Sequence, residues 1–130
     1  MGLSSLDTSK AFFEHSIIPF NEANLSIASS AVLYGLSVYT VFPVCLSKDK
    51  QLVAFRLPEH FKRLLESARI IGMDDFEKNW HYTKFVKAIK ELVAANNIKE
   101  DVFVRATVHV NEQVPGTKSR GLKNTLSIFI

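Results

Sequence analysis

The sequence predicts an α+β domain, a largely antiparallel sheet with two main helices on one face, and three observations predict it. Two segments, residues 58–72 and 82–96, repeat apolar side chains at three-and-four spacing, as a helix with one buried stripe does. The run "DVFVRATVHV" alternates instead, with Val102, Val104, Ala106, Val108 and Val110 on one side and Phe103, Arg105, Thr107 and His109 on the other. Strand-like runs flank the helical pair on both sides. The links within each group are of hairpin length, and so favour antiparallel pairing.

Taken in order, residues 1–15 open with polar, aperiodic sequence and are expected to be a leader or a short extra helix, with the folded domain over residues 16–130. "HSIIPFNEANLSI" predicts a strand, a turn around Asn21 and a second short strand, and Pro19 confines the first to an edge or a strand end. "ASSAVLYG" predicts a short helical turn stopped by Gly35 in the left-handed conformation. "LSVYTVFPVCL" and "LVAFRL", separated by "KDKQ", predict a hairpin, with Pro43 marking a bulge or an edge.

The first helix is expected to start near Pro58, a good first-turn residue, with Phe61, Leu64, Leu65, Ala68 and Ile71 inward and a stop at Gly72. The second places Phe85, Val86, Ile89, Leu92 and Val93 inward and Lys84, Lys87 and Glu91 outward. After the alternating strand comes a long turn over residues 111–121, and "NTLSIFI" forms a last strand.

Composition narrows the function classes. A chain of 130 residues, 47% apolar and 22% charged, suits one globular domain. Its net charge of +3 and pI near 9.1 come from dispersed lysines rather than a basic run, so nothing marks a nucleic-acid arm. No apolar stretch has the length of a membrane span, and the reading is cytoplasmic. The lone Cys45, in "VFPVCL", is expected to be a buried structural thiol. The four histidines, His15, His60, His81 and His109, are too dispersed for a metal site, and no phosphate-cradling glycine loop, HExxH, CxxC or GxSxG occurs.

Two arginines stand out. Arg105, in mid-strand beside Phe103 and Thr107, suits bidentate capture of a carboxylate, or is simply an arginine on a solvated sheet face. Arg63 follows Glu59 by one turn and precedes Glu66 by three residues, which also fits a surface ion pair.

The blocks "LYGLSVYT", "FRLPEHFKRLLESARIIGM" and "VFVRATV", in this order and spacing, resemble the N-terminal half of class IV aminotransferases, the fold-type IV pyridoxal 5'-phosphate enzymes, and most nearly their branched-chain members. The resemblance covers residues 18–130. It implies that Arg63 binds the cofactor phosphate, that Arg105 holds the substrate α-carboxylate, and that Tyr34, Tyr39 and Phe103 are pocket aromatics, Tyr34 reaching a partner subunit. It implies a homodimer acting on amino acids and 2-oxo acids, with no nucleic acid, membrane or metal involved.

It also implies that the Schiff-base lysine lies after residue 130, so that no catalytic residue is assigned here and the fragment is inactive alone. The abrupt end on "SIFI" carries the same expectation of a longer chain. Thr40 and Val41 depart from the "EG" usual in branched-chain enzymes, and Phe103 from their tyrosine. Threonine there is similar to aminodeoxychorismate lyases, and a D-amino acid aminotransferase is a further alternative. Outside the family, the rival is a stand-alone non-catalytic binding domain.

Overall fold

The computed structural model describes residues 5–116 and 118–130. A 3-10 turn, Ser5–Thr8, leads into β1 (Lys10–Phe13) and β2 (Ser16–Pro19), then a second 3-10 turn, Phe20–Glu22. There follow α1 (Ser30–Tyr34), β3 (Ser37–Leu46), β4 (Leu52–Ala54), α2 (Leu57–Ile70), α3 (Asp74–Asn79), α4 (Tyr82–Ala95), β5 (Val102–Val110) and β6 (Asn124–Phe129). The six strands form one sheet in the order β2-β1-β6-β5-β3-β4, and every neighbouring pair is antiparallel. The α+β expectation therefore holds.

The period-two pattern of β5 decides which face is dry. Val104, Ala106, Val108 and Val110 are fully buried and meet Phe42 and Val44 of β3 and Leu126 and Ile128 of β6. The helices close this side with Phe61, Leu64 and Ala68 from α2 and Phe85, Ala88, Ile89 and Leu92 from α4. Phe61 stacks on Phe85 at 4.9 Å between centroids, joining the two helices over the sheet. Replacing Leu64 or Phe85 by alanine would cost about 3–5 kcal/mol, the usual range for emptying such a site.

Three expectations need correction, and one short helix goes unread in the sequence. Residues 10–13 belong to the sheet, and 14–15 turn into β2, rather than forming a leader, because Ala11 and Phe12 are buried and β1 pairs with both β2 and β6; residues 1–4 lie outside the described residues. The second strand expected after Asn21 is absent, because local bonds hold the segment in turns: Asn24 Nδ2 donates to the Asn21 carbonyl, and the Ser26 hydroxyl accepts from the Ala28 N–H. The extra helix α3 has too few apolar residues to show a period, and only its Phe76 is buried. Cys45 is exposed, not buried, since β3 alternates and residue 45 falls on the face away from the helices.

Two stops behave as read. Gly35 caps α1 with φ +64°, and Ser29 caps its other end by accepting from the Val32 N–H. Pro43 lies beside the place where β4 gives out: β4 pairs only with residues 44–46 of β3, and the Pro43 carbonyl takes the Phe55 N–H just beyond. Among the described residues, residues 37–42 of β3 therefore have no strand on one edge.

Candidate active site

The sheet face away from the helices carries the side chains that the β5 alternation sets aside. Pairing of β5 with β3 and β6 places Phe103 opposite Pro43, Arg105 between Val41 and Phe129, Thr107 between Tyr39 and Ser127, and His109 between Ser37 and Thr125. Arg105 leans diagonally over Tyr39, its guanidinium carbon 4.0 Å from the ring centroid. Tyr39 and Phe103 remain 53% and 70% exposed, a large apolar area to leave in water beside an uncommitted cation. Phe129 is braced edge-on by Phe20 at 5.4 Å.

The inner end of this face is polar. His109 Nε2 and Ser127 Oγ share a 2.9 Å hydrogen bond. Burial first, and the Arg105 charge second, hold the His109 imidazole below its ordinary value and so favour its neutral form. The sequence shows the alternation but does not single out His109, since a histidine on a half-exposed strand face carries no distinguishing spacing. Its partner Ser127 is 18 residues away in sequence and is found only through the strand register.

Arg63 lies on the other side of β3. Thr40, wholly buried, faces α2 and bonds His60 Nδ1 at 2.9 Å, which fixes α2 against β3. Arg63 stands one turn beyond His60 on the exposed side of α2. Glu59, the expected partner, instead makes a loose 3.8 Å contact with Arg56, and no ion pair is formed by Arg63 among the described residues. Burial lowers the His60 pKa most, the Arg63 and Arg56 charges lower it further, and Glu59 opposes them. The turn thus carries an excess of positive charge around His60, a field suited to an anion. The sequence shows the same crowding, with Arg56, His60, Arg63 and Arg69 in one short helical stretch beside only Glu59 and Glu66.

The expected site residues therefore fall into three places. Tyr39, Phe103 and Arg105 share the open sheet face, and Arg63 flanks the same stretch of β3 from the helix side, with the strand's free edge between them. Tyr34 ends α1 and is exposed, making no side-chain hydrogen bond or ring contact among the described residues. Thr40 does not reach the open face, so its departure from the family pattern bears on how α2 is held. Val41 does lie on that face, directly opposite Arg105, and fills space there.

No family model matches the chain. A probable branched-chain-amino-acid aminotransferase of Aquifex aeolicus is 31% identical over 111 residues, 85% of this chain and 35% of that protein. The branched-chain-amino-acid aminotransferase of Salmonella typhimurium is 27% identical over 101 residues, 78% of this chain and 31% of that protein. This chain is a relative of the branched-chain amino acid aminotransferases.

The branched-chain aminotransferase of Thermoproteus uzoniensis, solved with norvaline, superposes on 93% of the chain with a TM-score of 0.85 and 29% identity, over 39% of its own chain. The branched-chain amino acid aminotransferase of Escherichia coli has the same fold over 93% of the chain, with a TM-score of 0.79 and 22% identity. The fold is that of the N-terminal domain of these enzymes. The chain spans about a third of the length of the curated relatives it matches.

Proposed function

We propose that this chain is the small N-terminal domain of a pyridoxal 5'-phosphate-dependent class IV aminotransferase, cytoplasmic and homodimeric. The whole protein moves the amino group of a branched-chain amino acid to 2-oxoglutarate. The observation that carries the reading is Arg105 resting on Tyr39, across the free-edged β3 from Arg63, which forms no ion pair among the described residues: two cations suited to the two anions of one cofactor-substrate pair. Similarity to the Aquifex aeolicus protein over most of the chain supports it. Two solved structures of one branched-chain amino acid aminotransferase of the same fold, one complexed with N-(5'-phosphopyridoxyl)-L-glutamate and one with pyridoxamine 5'-phosphate, agree with that cofactor.

The residues present fit the phosphate end of such a cofactor, because the charges of Arg63 and Arg56 at His60 are opposed by one carboxylate, Glu59, and so leave an excess of positive charge. Arg63 would hold the phosphate, and the Thr40–His60 bond keeps that turn of α2 in place. Bound pyridoxal phosphate supplies the electron sink and the carbonyl that exchanges the amino group. Arg105, steadied on the Tyr39 ring, presents its planar fork to the substrate α-carboxylate. Phe103 and Val41 give the adjoining surface no hydroxyl, which suits an aliphatic side chain. Ile27, Val32, Leu33 and Tyr34 leave an exposed apolar patch at α1 of the kind a partner subunit covers. The Schiff-base lysine is assigned to sequence beyond residue 130.

The test is the full-length protein, assayed with leucine, isoleucine or valine and 2-oxoglutarate. Formation of glutamate with added pyridoxal phosphate is the expected outcome. Release of pyruvate and 4-aminobenzoate from aminodeoxychorismate, with no glutamate formed, would make it a lyase. Turnover of D-amino acids alone would make it the D-specific relative, and no turnover of any of these would favour a binding domain.

A further inference from the structure

A groove of about 580 Å³ opens on the helix side of the sheet, beyond β4 and away from the Arg105 face. It exists because β4 is only three residues long while α4 runs for fourteen. The short strand cannot cover the length of the helix. Val86, Ile89 and Val93 of α4 therefore face Leu52, Ala54 and Leu57 across a gap that no side chain fills. Exposed apolar surface of this kind costs free energy in water, and its size is that of a small-molecule site rather than a flat protein interface.

The charged lining is of one sign. Arg56 and Lys90 line the groove and no aspartate or glutamate does; the remaining polar groups are the Tyr82 hydroxyl and the Asn97 amide. Lys90 forms no ion pair among the described residues, the α4 pair being Lys87 with Glu91 at 3.9 Å. Arg56 has only the long contact with Glu59, which does not line the groove. Arg56 also adopts a left-handed backbone, φ +52°, that side chains other than glycine rarely take, at the corner between β4 and α2.

We infer that this groove binds a small amphiphilic anion, an alkyl monocarboxylate, with its chain along Leu52, Val86, Ile89 and Val93 and its carboxylate at the Arg56 and Lys90 rim. An apolar trough with a purely cationic rim selects tail and head together. A neutral alcohol with the same tail leaves both cations without a partner, and a cationic surfactant is repelled by them. A short carboxylate lacks the apolar area to hold on.

The experiment titrates decanoate into the full-length protein and follows backbone amide signals, with decanol, decyltrimethylammonium and propionate as comparison ligands. Saturable decanoate binding is expected, with shifts centred on Val86, Val93 and Ile98, at least tenfold weaker binding of decanol, and none of the other two. Lys90→Glu with Arg56→Gln should weaken decanoate at least tenfold while leaving decanol unchanged. Decanol binding as tightly as decanoate would overturn the inference. So would shifts centred on Phe103 and Arg105, no binding at all, or protection of the groove by another part of the protein in the absence of ligand.

Discussion

Arg105 and Arg63 are the same residue type on two sides of one strand in different surroundings, and the proposed function gives them different tasks. Because Arg105 rests on Tyr39 at 4.0 Å, its fork is held in a fixed plane. In the full-length enzyme Arg105→Lys should lower turnover of amino acids while cofactor content stays normal, since charge survives and the planar fork does not. The decarboxylated amines should be affected far less, and an equal loss for both would make Arg105 structural. Arg63→Ala should weaken cofactor binding by about 1.5–3 kcal/mol, the range for a hydrogen bond to a charged group, as read by titrating pyridoxal phosphate into the apo forms. Stability should hardly change, because Glu59 contacts Arg56 and not Arg63. His109 carries a pH signature. Its native pKa lies below the unfolded value, so over the interval between them the unfolded chain binds more protons, and stability falls as pH drops through the ordinary histidine range. His60, lowered for its own reasons, slopes the same way. Urea unfolding of wild type and His109→Gln at about pH 7.5 and about pH 5 should therefore show a smaller acid loss in the variant. An identical loss in both would remove His109 from the account.

Among the elements, those with a period or a punctuating residue can be read from sequence, and those made by tertiary company cannot. β5 announces both its faces, and α2 its start at Pro58 and its inward Phe61, Leu64 and Ala68. β1 gives no such signal, since four residues are too few for a period and its burial comes from β2, across the next turn, and from β6 at the far end of the chain, where Phe12 meets Ile128 and Phe13 meets Ser127. Cys45 escapes sequence reading for a related reason: an apolar run does not say which of its alternate members faces water. The end of α2 makes a sharper test of local reading. Gly72 has φ +78°, and a Cβ there would meet Ser119 Oγ at 2.9 Å. Ser119 is itself tied down, its hydroxyl donating to the Ile71 carbonyl, while the Gly121 N–H bonds Asp74 and holds that carboxyl below its usual range. Gly72→Ala should thus combine backbone strain with a displaced loop and lower stability by about 1–3 kcal/mol, measured by thermal or urea unfolding. A neutral result would mean that the 118–123 segment gives way freely.

At the scale of the whole molecule, the arrangement is an open sheet face and a cationic helix turn on either side of a strand edge, presented outward with much apolar surface still exposed. Such a face is a wall of a site rather than a site. Forming a Schiff base needs a lysine amine aimed at the space between Arg105 and Arg63; β3, β5 and β6, which border it, contain no lysine, and Lys62, beside Arg63 on α2, is exposed to solvent. The lysines of α4 are committed elsewhere: Lys84 lies over the Trp80 ring at 4.3 Å and donates to the Asn79 carbonyl, Lys87 reaches Glu91, and Lys90 lines the groove on the far side. Residues 1–130 produced alone should consequently fail to transaminate and should form no covalent adduct with pyridoxal phosphate at any one preferred lysine. Borohydride reduction followed by peptide mapping reads this directly. Low-level labelling spread over exposed lysines fits the expectation, because any free amine reacts slowly with the aldehyde. Stoichiometric labelling of a single lysine would contradict it, and would place the reacting amine within this domain.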